Sequence, residues 1–163
     1  MRLSWIRDSG ELTADGRRFV VTNRVRNEID PLAIRRLHDP GEVRRAVVDG
    51  QWGPPYMPRR FPLGTWRILA VEDTSAQEFT PIKIRTDAHQ PVHVWALDAD
   101  GGYDHETPEI IEDSGYHLHW ARDSRSTLGC GRVGTDTAEQ VRELARIIRT
   151  AMARGERVEL EVV

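Results

Sequence analysis

The 163-residue sequence has a single cysteine, Cys130, and no run of apolar residues long enough to cross a bilayer. One thiol excludes an intramolecular disulfide and with it the small cross-linked secreted scaffolds; a reactive thiol here has to be reactive by itself. Excess charge of one sign is also lacking, since 23 Lys and Arg stand against 26 Asp and Glu for a formal net charge of -3. The basic residues come as dispersed doublets, Arg17-Arg18, Arg35-Arg36, Arg44-Arg45 and Arg59-Arg60, with no aromatic-interleaved basic stripe. That distribution marks solvated faces and argues against nucleic acid as a partner. The first residues carry charges at Arg2, Arg7 and Asp8 and hold no apolar core of signal-peptide length, so the expectation is cytoplasmic synthesis without a membrane span. No repeat, low-complexity tract or long linker divides the chain, which predicts one domain over 1–163. With 39% hydrophobic and 30% charged residues, such a domain buries roughly 70% of its unfolded surface and needs no staples.

Apolar residues alternate in short stretches bounded by Gly, Pro, Asp or Asn: Leu3 to Arg7, Arg18 to Arg24, Thr65 to Glu72, Phe79 to Arg85, Val92 to Leu97, Gly115 to Trp120 and Arg157 to Val163. These read as about seven strands. Asp15-Gly16 and Asp100-Gly101-Gly102 are hairpin signals, the first placed between the two opening strands. One long helix is written from Thr137 to Arg154, with Ala138, Val141, Ala145, Ile148 and Met152 at helical spacing. Asp136, with Glu139 three residues on, is the expected N-terminal cap, and Gly155 stands where a left-handed C-terminal residue is wanted. A weaker apolar face of Val43, Ala46 and Val47 suggests a short helix from Gly41 to Asp49, and the proline-rich Gly50 to Pro62 reads as a rigid loop. The fold class expected is mainly β with α (α+β).

The chemistry concentrates in residues 115–134. Within Gly115-Tyr116-His117-Leu118-His119-Trp120, strand alternation puts both imidazoles on one side and Tyr116, Leu118 and Trp120 on the other. The aromatic face is expected in the core and the histidine face in a cleft. Eleven residues after His119 comes Gly129-Cys130-Gly131, a thiol in an approachable turn. Thiol catalysis needs a proton acceptor within hydrogen-bond reach and backbone amides aimed at a developing oxyanion. An imidazole from a neighbouring strand and the amides of the turn meet these needs, and Arg132 adds positive charge for a thiolate or a substrate carboxylate.

These residues resemble a family. Ser126-Thr127-Leu128-Gly129-Cys130-Gly131-Arg132-Val133 is similar to the [Ser/Thr]-His-Gly-Cys-x-[Arg/Asn] signature of the L,D-transpeptidase catalytic domain, in which an upstream histidine lies on the preceding strand. Phe61-Pro62-Leu63-Gly64-Thr65-Trp66 resembles the family's Thr-Pro-x-Gly-x-aromatic element, which opens a central hairpin, and Met152 to Leu160 resembles its final helix, glycine turn and strand. The similarity is clearest over 58–163. It is closest to a short, phage-associated variant in which His-x-Gly-Asn precedes Gly-Cys-Ile-x-Val-Gly; His119, Gly129, Cys130, Val133 and Gly134 match. Leu128 takes the place of the family's second histidine, a role that His117 would fill spatially, while Gly131 and Trp120 replace an isoleucine and a glycine.

The resemblance implies a β-sandwich or barrel with one long C-terminal helix, no cofactor, and acyl transfer on peptidoglycan stem peptides. Cys130 would form the thioester and His119 act as base, with His117 beside them. Gly129, Gly131, Arg132, Tyr116 and Trp120 would serve the oxyanion or substrate. The outcome would be cross-linking by an amine or hydrolysis by water, in a protein carried by a phage or exported by a route without a signal peptide. Two other readings stand beside this one. The same fold could be a catalytically silent binding or structural module. Alternatively, His117 and His119 with His89, His93, His105 and Cys130 could hold a metal, although His-x-His with one distant cysteine is not a zinc spacing and Pro91 breaks any shared helical face of His89 and His93. The acidic Glu106, Glu109, Glu112 and Asp113 read as a solvated loop.

Overall fold

The computed structural model describes residues 1–23, 45–47, 60–96, 109–122 and 129–163. Alternation decides the first strands. In β1 (Arg2–Ile6) Leu3 and Trp5 are fully buried, and in β3 (Arg17–Thr22) Phe19 and Val21 are buried while Val20 is exposed. Between them β2 (Glu11–Ala14) was not anticipated, because Leu12 and Ala14 are its only inward apolar residues. The Asp15-Gly16 turn therefore joins β2 to β3 rather than β1 to β3. Both of its residues have positive φ (50° and 72°), as a two-residue hairpin that follows the strand twist requires.

With β5 (Gly64–Asp73), β6 (Ile82–Thr86), β9 (His117–His119), β10 (Gly131–Val133) and β11 (Glu159–Val162), these strands close into an eight-stranded barrel in the order β1-β11-β5-β6-β9-β10-β3-β2. Closure leaves the barrel without a free edge. Two of its joints are parallel: β1 with β11, which ties the first strand to the last, and β9 with β10. Phe61 to Trp66 leads into β5, which pairs antiparallel with β6, so the element does open a hairpin; the Trp66 indole N–H donates to Pro62 O at 3.0 Å.

Strand directions define two barrel ends. At one, β5 and β9 finish and β3 and β6 begin, and there the helix α1 (Glu139–Ala153) packs against β3, β5 and β6. Its buried face is Val141, Leu144, Ala145, Ile147, Ile148 and Ala151, the stripe that the spacing predicts. The N-terminal cap differs from expectation: Ala138 occupies the cap position with no side-chain bond, while Asp136 is exposed and the Thr137 hydroxyl accepts from Glu139 N at 3.4 Å. The C-terminal end follows the sequence. Gly155 (φ 77°) donates to Met152 O and Glu156 to Ala151 O, closing the last carbonyls in a left-handed turn. At the opposite end Phe61 is fully buried, its ring 5.2 Å from Trp5 and 5.7 Å from Tyr116 in edge-on contacts.

The chain divides into two compact units, and the barrel with α1 is one of them. The other carries a three-stranded sheet in the order β4-β7-β8, from β4 (Arg45–Val47), β7 (His89–Ala96) and β8 (Glu109–Ser114). Of the short helix expected from Gly41 to Asp49, residues Arg45–Val47 are instead a strand, in register with β7 as Ala46↔Trp95. A weak apolar face gives way there to a backbone ladder. Glu109, Glu112 and Asp113 likewise lie on a strand and not in a loop. The rest of that helix, residues 50–59 of the proline-rich loop, Asp100-Gly101-Gly102, Glu106 and Leu128 lie outside the described residues. Among the described residues the protein is mainly β with one long helix near the C-terminus, and no helix is long and apolar enough to cross a membrane.

Candidate functional site

The parallel joint of β9 and β10 builds the site. Its register pairs Gly131 with Leu118 and Arg132 with His119, and on the other side of β9 the strand β6 pairs Lys83 with His119 and Arg85 with His117. Paired residues share a face. Leu118, Ile84 and Val133 point inward and are fully buried, so His117 and His119 stand on the outer face in two rows: Glu72, Lys83, His119 and Arg132, then Arg85 and His117. Continuing the parallel register back one residue sets Cys130 at the end of the second row, beside His117. The thiol is partly exposed and donates to Gly115 O at 3.7 Å, which places it where β9 begins.

Both imidazoles are neutral at neutral pH. Burial, then the charges of Lys83, Arg85 and the His119 ring, lower His117 from 6.5 to about 4. His119 is also lowered, by burial first and then by Lys83 and Arg132, with the Trp120 backbone opposing. The Tyr116 backbone opposes the shift of His117 in the same way. Neither interaction has hydrogen-bond geometry at Nδ1, since both Nδ1 atoms are buried without a partner. Neutral rings are able to take a proton, but so low a basicity does not hold a thiolate–imidazolium pair at rest. The arrangement therefore favours a resting thiol that loses its proton as it attacks.

Asn23, which sequence reasoning passed over, fixes the thiol's turn. Its buried amide Nδ2 donates to Gly129 O at 3.0 Å and Cys130 O at 3.1 Å, while its Oδ1 accepts from Phe61 N at 2.9 Å. The carbonyl and N–H of a trans peptide point opposite ways, so the amides of Cys130 and Gly131 are turned away from Asn23. The available signal was a polar residue at the next inward position after Phe19 and Val21. A cavity of about 560 Å³ opens beside Asn23, lined by Arg7, Ser9, Thr22 and Arg60.

Several expected site residues have other work. A Cβ on Gly131 would lie 2.6 Å from Leu118 Cδ2 and 3.0 Å from Trp5 Cη2, so barrel packing requires its bare α-carbon. Tyr116 and Trp120 are buried, as the aromatic face predicts, and the Trp120 indole donates to Thr135 O at 3.2 Å. Arg132 is 7% exposed, and its guanidinium donates to the carbonyls of Ala121, Gly134 and Thr135 with Trp120 beneath it at 5.8 Å. It clasps the chain after β9 to the segment before α1. Gly129 keeps its place in the turn with φ 119°.

No family model matches the chain, and neither a curated protein nor a solved structure matches it. Among the described residues no group of three or more His, Cys, Asp or Glu is placed to hold a metal ion. His89 is exposed, with Nδ1 2.8 Å from Asp87 O and its ring against Trp66; the side chains of His93 and His105 lie outside the described residues.

Proposed function

We propose that the protein is a cysteine acyltransferase or peptidase of the L,D-transpeptidase kind, acting on peptidoglycan stem peptides. The single observation that carries this reading is the β9–β10 register, which brings Cys130 to the row of His117 with His119 one row on. The Cys130 sulfur attacks the peptide carbonyl carbon as its proton passes to His119, the base that the resemblance implies. His117, beside the thiol, stands in for the family histidine replaced by Leu128. The tetrahedral intermediate collapses, the C–N bond breaks, and the histidine returns the proton to the leaving amine. An amine or water then attacks the thioester, forming an amide or a carboxylic acid and restoring the thiol. The turn amides facing away from Asn23 are suited to the oxyanion.

The test is incubation with defined disaccharide tetra- and pentapeptides, followed by mass spectrometry for an acyl adduct on Cys130 and for cleaved or cross-linked product. The expected result is product with wild type and none with Cys130→Ala. Equal inertness of the two proteins across cell-wall chemotypes would remove the enzyme reading and leave a binding module.

A further inference from the structure

Two polar side chains reach over the barrel mouth at the Phe61 end. Arg7 takes the next inward position after Leu3 and Trp5, as Asn23 does after Phe19 and Val21. Its backbone N–H donates to Val163 O at 2.8 Å, which carries the ladder of β1 with β11 on to it. Both side chains clasp Phe61: Asn23 Oδ1 accepts from Phe61 N, and Arg7 Nη1 donates to Phe61 O, each at 2.9 Å. Asn23 also spends its Nδ2 on the carbonyls of Gly129 and Cys130, so its amide is fully used. The Arg7 guanidinium is not. Its Nε is buried without a partner, and among the described residues Nη2 makes no hydrogen bond and the group has no ion pair.

Arg7 and Asn23 line the same cavity of about 560 Å³. The one carboxylate in its described lining, that of Asp8, is bonded to Arg60 at 3.1 Å, and both of those side chains are exposed. Two guanidiniums thus face one carboxylate, and the cation left without a counter-ion is the partly buried Arg7. A guanidinium that has given up water for a single carbonyl is under-compensated. An oxyanion would supply both the missing charge and an acceptor.

We propose that Arg7 makes this cavity a binding site for a small ligand that carries an oxyanion, either a carboxylate or a phosphate. The oxyanion meets the Nη2 end of the guanidinium, because Phe61 O holds Nη1 and Nε is closed off from solvent. A bidentate fork is therefore not used, and the cation acts chiefly by its charge. The cavity is larger than one oxyanion fills and falls in the usual range for small-molecule sites. The ligand accordingly has a body beyond its charged group, set against Ser9, Thr22 and Val20. The inference is independent of the acyl-transfer reading, since it uses neither Cys130 nor the histidines.

The test starts from the wild-type chain. Isotope-labelled protein at neutral pH and low salt is titrated by NMR with inorganic phosphate and, separately, with acetate, against chloride at matched ionic strength. Saturable shifts are expected at the Arg7 Nε–H and at the backbone amides of Ser9, Gly10 and Thr22 with at least one probe, and none with chloride. The probe that binds more tightly tells a phosphate site from a carboxylate site. Arg7→Gln, which can still donate to Phe61 O, should weaken binding about tenfold or more. Arg7→Lys keeps the charge and should stay within about threefold of wild type. Arg142→Gln, at an exposed arginine of α1, should change nothing. Shifts that fail to saturate, or that are shared equally with the exposed arginines, overturn the proposal on wild type alone, whether or not Arg7→Gln folds. Equal affinity in wild type and Arg7→Gln, with a lower Tm in the variant, also overturns it and leaves Arg7 as a clasp on Phe61.

Discussion

The two ends of the barrel are closed by different means. At the helical end, α1 lays an aliphatic stripe of Val141, Leu144, Ala145, Ile148 and Ala151 over the strand ends, and its polar fringe is satisfied: Gln140 accepts from Val20 N at 2.8 Å, and Arg149 meets Asp73 at 2.9 Å. At the other end the plug is the aromatic Phe61, with Asn23 and Thr86 buried beside it and Cys130 at the rim. Among the described residues the buried side-chain polar atoms without a partner are Trp5 Nε1, Arg7 Nε, His117 Nδ1 and His119 Nδ1, and none belongs to α1. Native proteins tolerate such atoms where something other than stability holds them in place. The helical end is thus read as the stabilising end, and the Phe61 end together with the outer face of β9 as the working one.

Removing the thiol should have the largest effect. Cys130→Ala should lower acyl-adduct formation by at least about 10³-fold, and His119→Gln by on the order of 10² to 10⁴, while both proteins melt like wild type. Adduct on another residue in Cys130→Ala would move the working end elsewhere. At the helical end the effect is on stability. Leu144 is fully buried, so Leu144→Ala should cost about 2–5 kcal/mol, seen as a drop in Tm by thermal unfolding, with Cys130 alkylation unchanged well below the transition. Altered thiol reactivity in that variant would mean that the two ends are coupled.

Asn23→Ala should act in the opposite manner. It strands the Phe61 amide and two carbonyls, a loss of about 1–3 kcal/mol, and it also frees the Gly129-Cys130 turn, so the rate of Cys130 alkylation should change in the native state. An unchanged rate with a lower Tm would reduce Asn23 to a structural plug.

What was legible in the sequence follows from how local each feature is. The alternation of Phe19 with Val21, of Ile82 with Ile84, and of Tyr116, Leu118 and Trp120 betrays strands because each residue's own burial sets the pattern. So does the stripe of α1. Strand β10 escaped because one of its two inward residues is Gly131, emptied to admit Trp5 and Leu118, and a glycine and an arginine before a single valine show no period. The expected Asp136 cap failed because the helix starts two residues later than its signal. The histidine face was legible from β9 alone, whereas the rows joining Cys130, His117 and Lys83 depend on the pairing of strands 13 or more residues apart, which no window of sequence contains. The bonds of Arg132 to the carbonyls of Ala121, Gly134 and Thr135 were not legible either, because they depend on how the chain turns on both sides of the side chain.

The smallest expected effect separates the two ends by pH. His117 falls from 6.5 to about 4 on folding, so between those values the unfolded chain binds more protons than the folded one. Stability from this group is complete above about pH 6.5 and is lost as pH falls toward 4; His119, also lowered, acts in the same direction. His117 is half-exposed, so after solvent screening its share is on the order of 1 kcal/mol, or about 2–4 °C in Tm. The ion pair of Glu143 with Arg146 at the helical end is exposed and should add little in this window. Thermal melts of wild type and His117→Gln from pH 7.5 to 4 provide the measurement: the wild-type curve should fall more steeply, and the Leu144→Ala curve should run parallel to wild type at lower Tm. Parallel curves for wild type and His117→Gln would show that the imidazole titrates normally, and that burial and the charges of Lys83 and Arg85 do not hold it neutral.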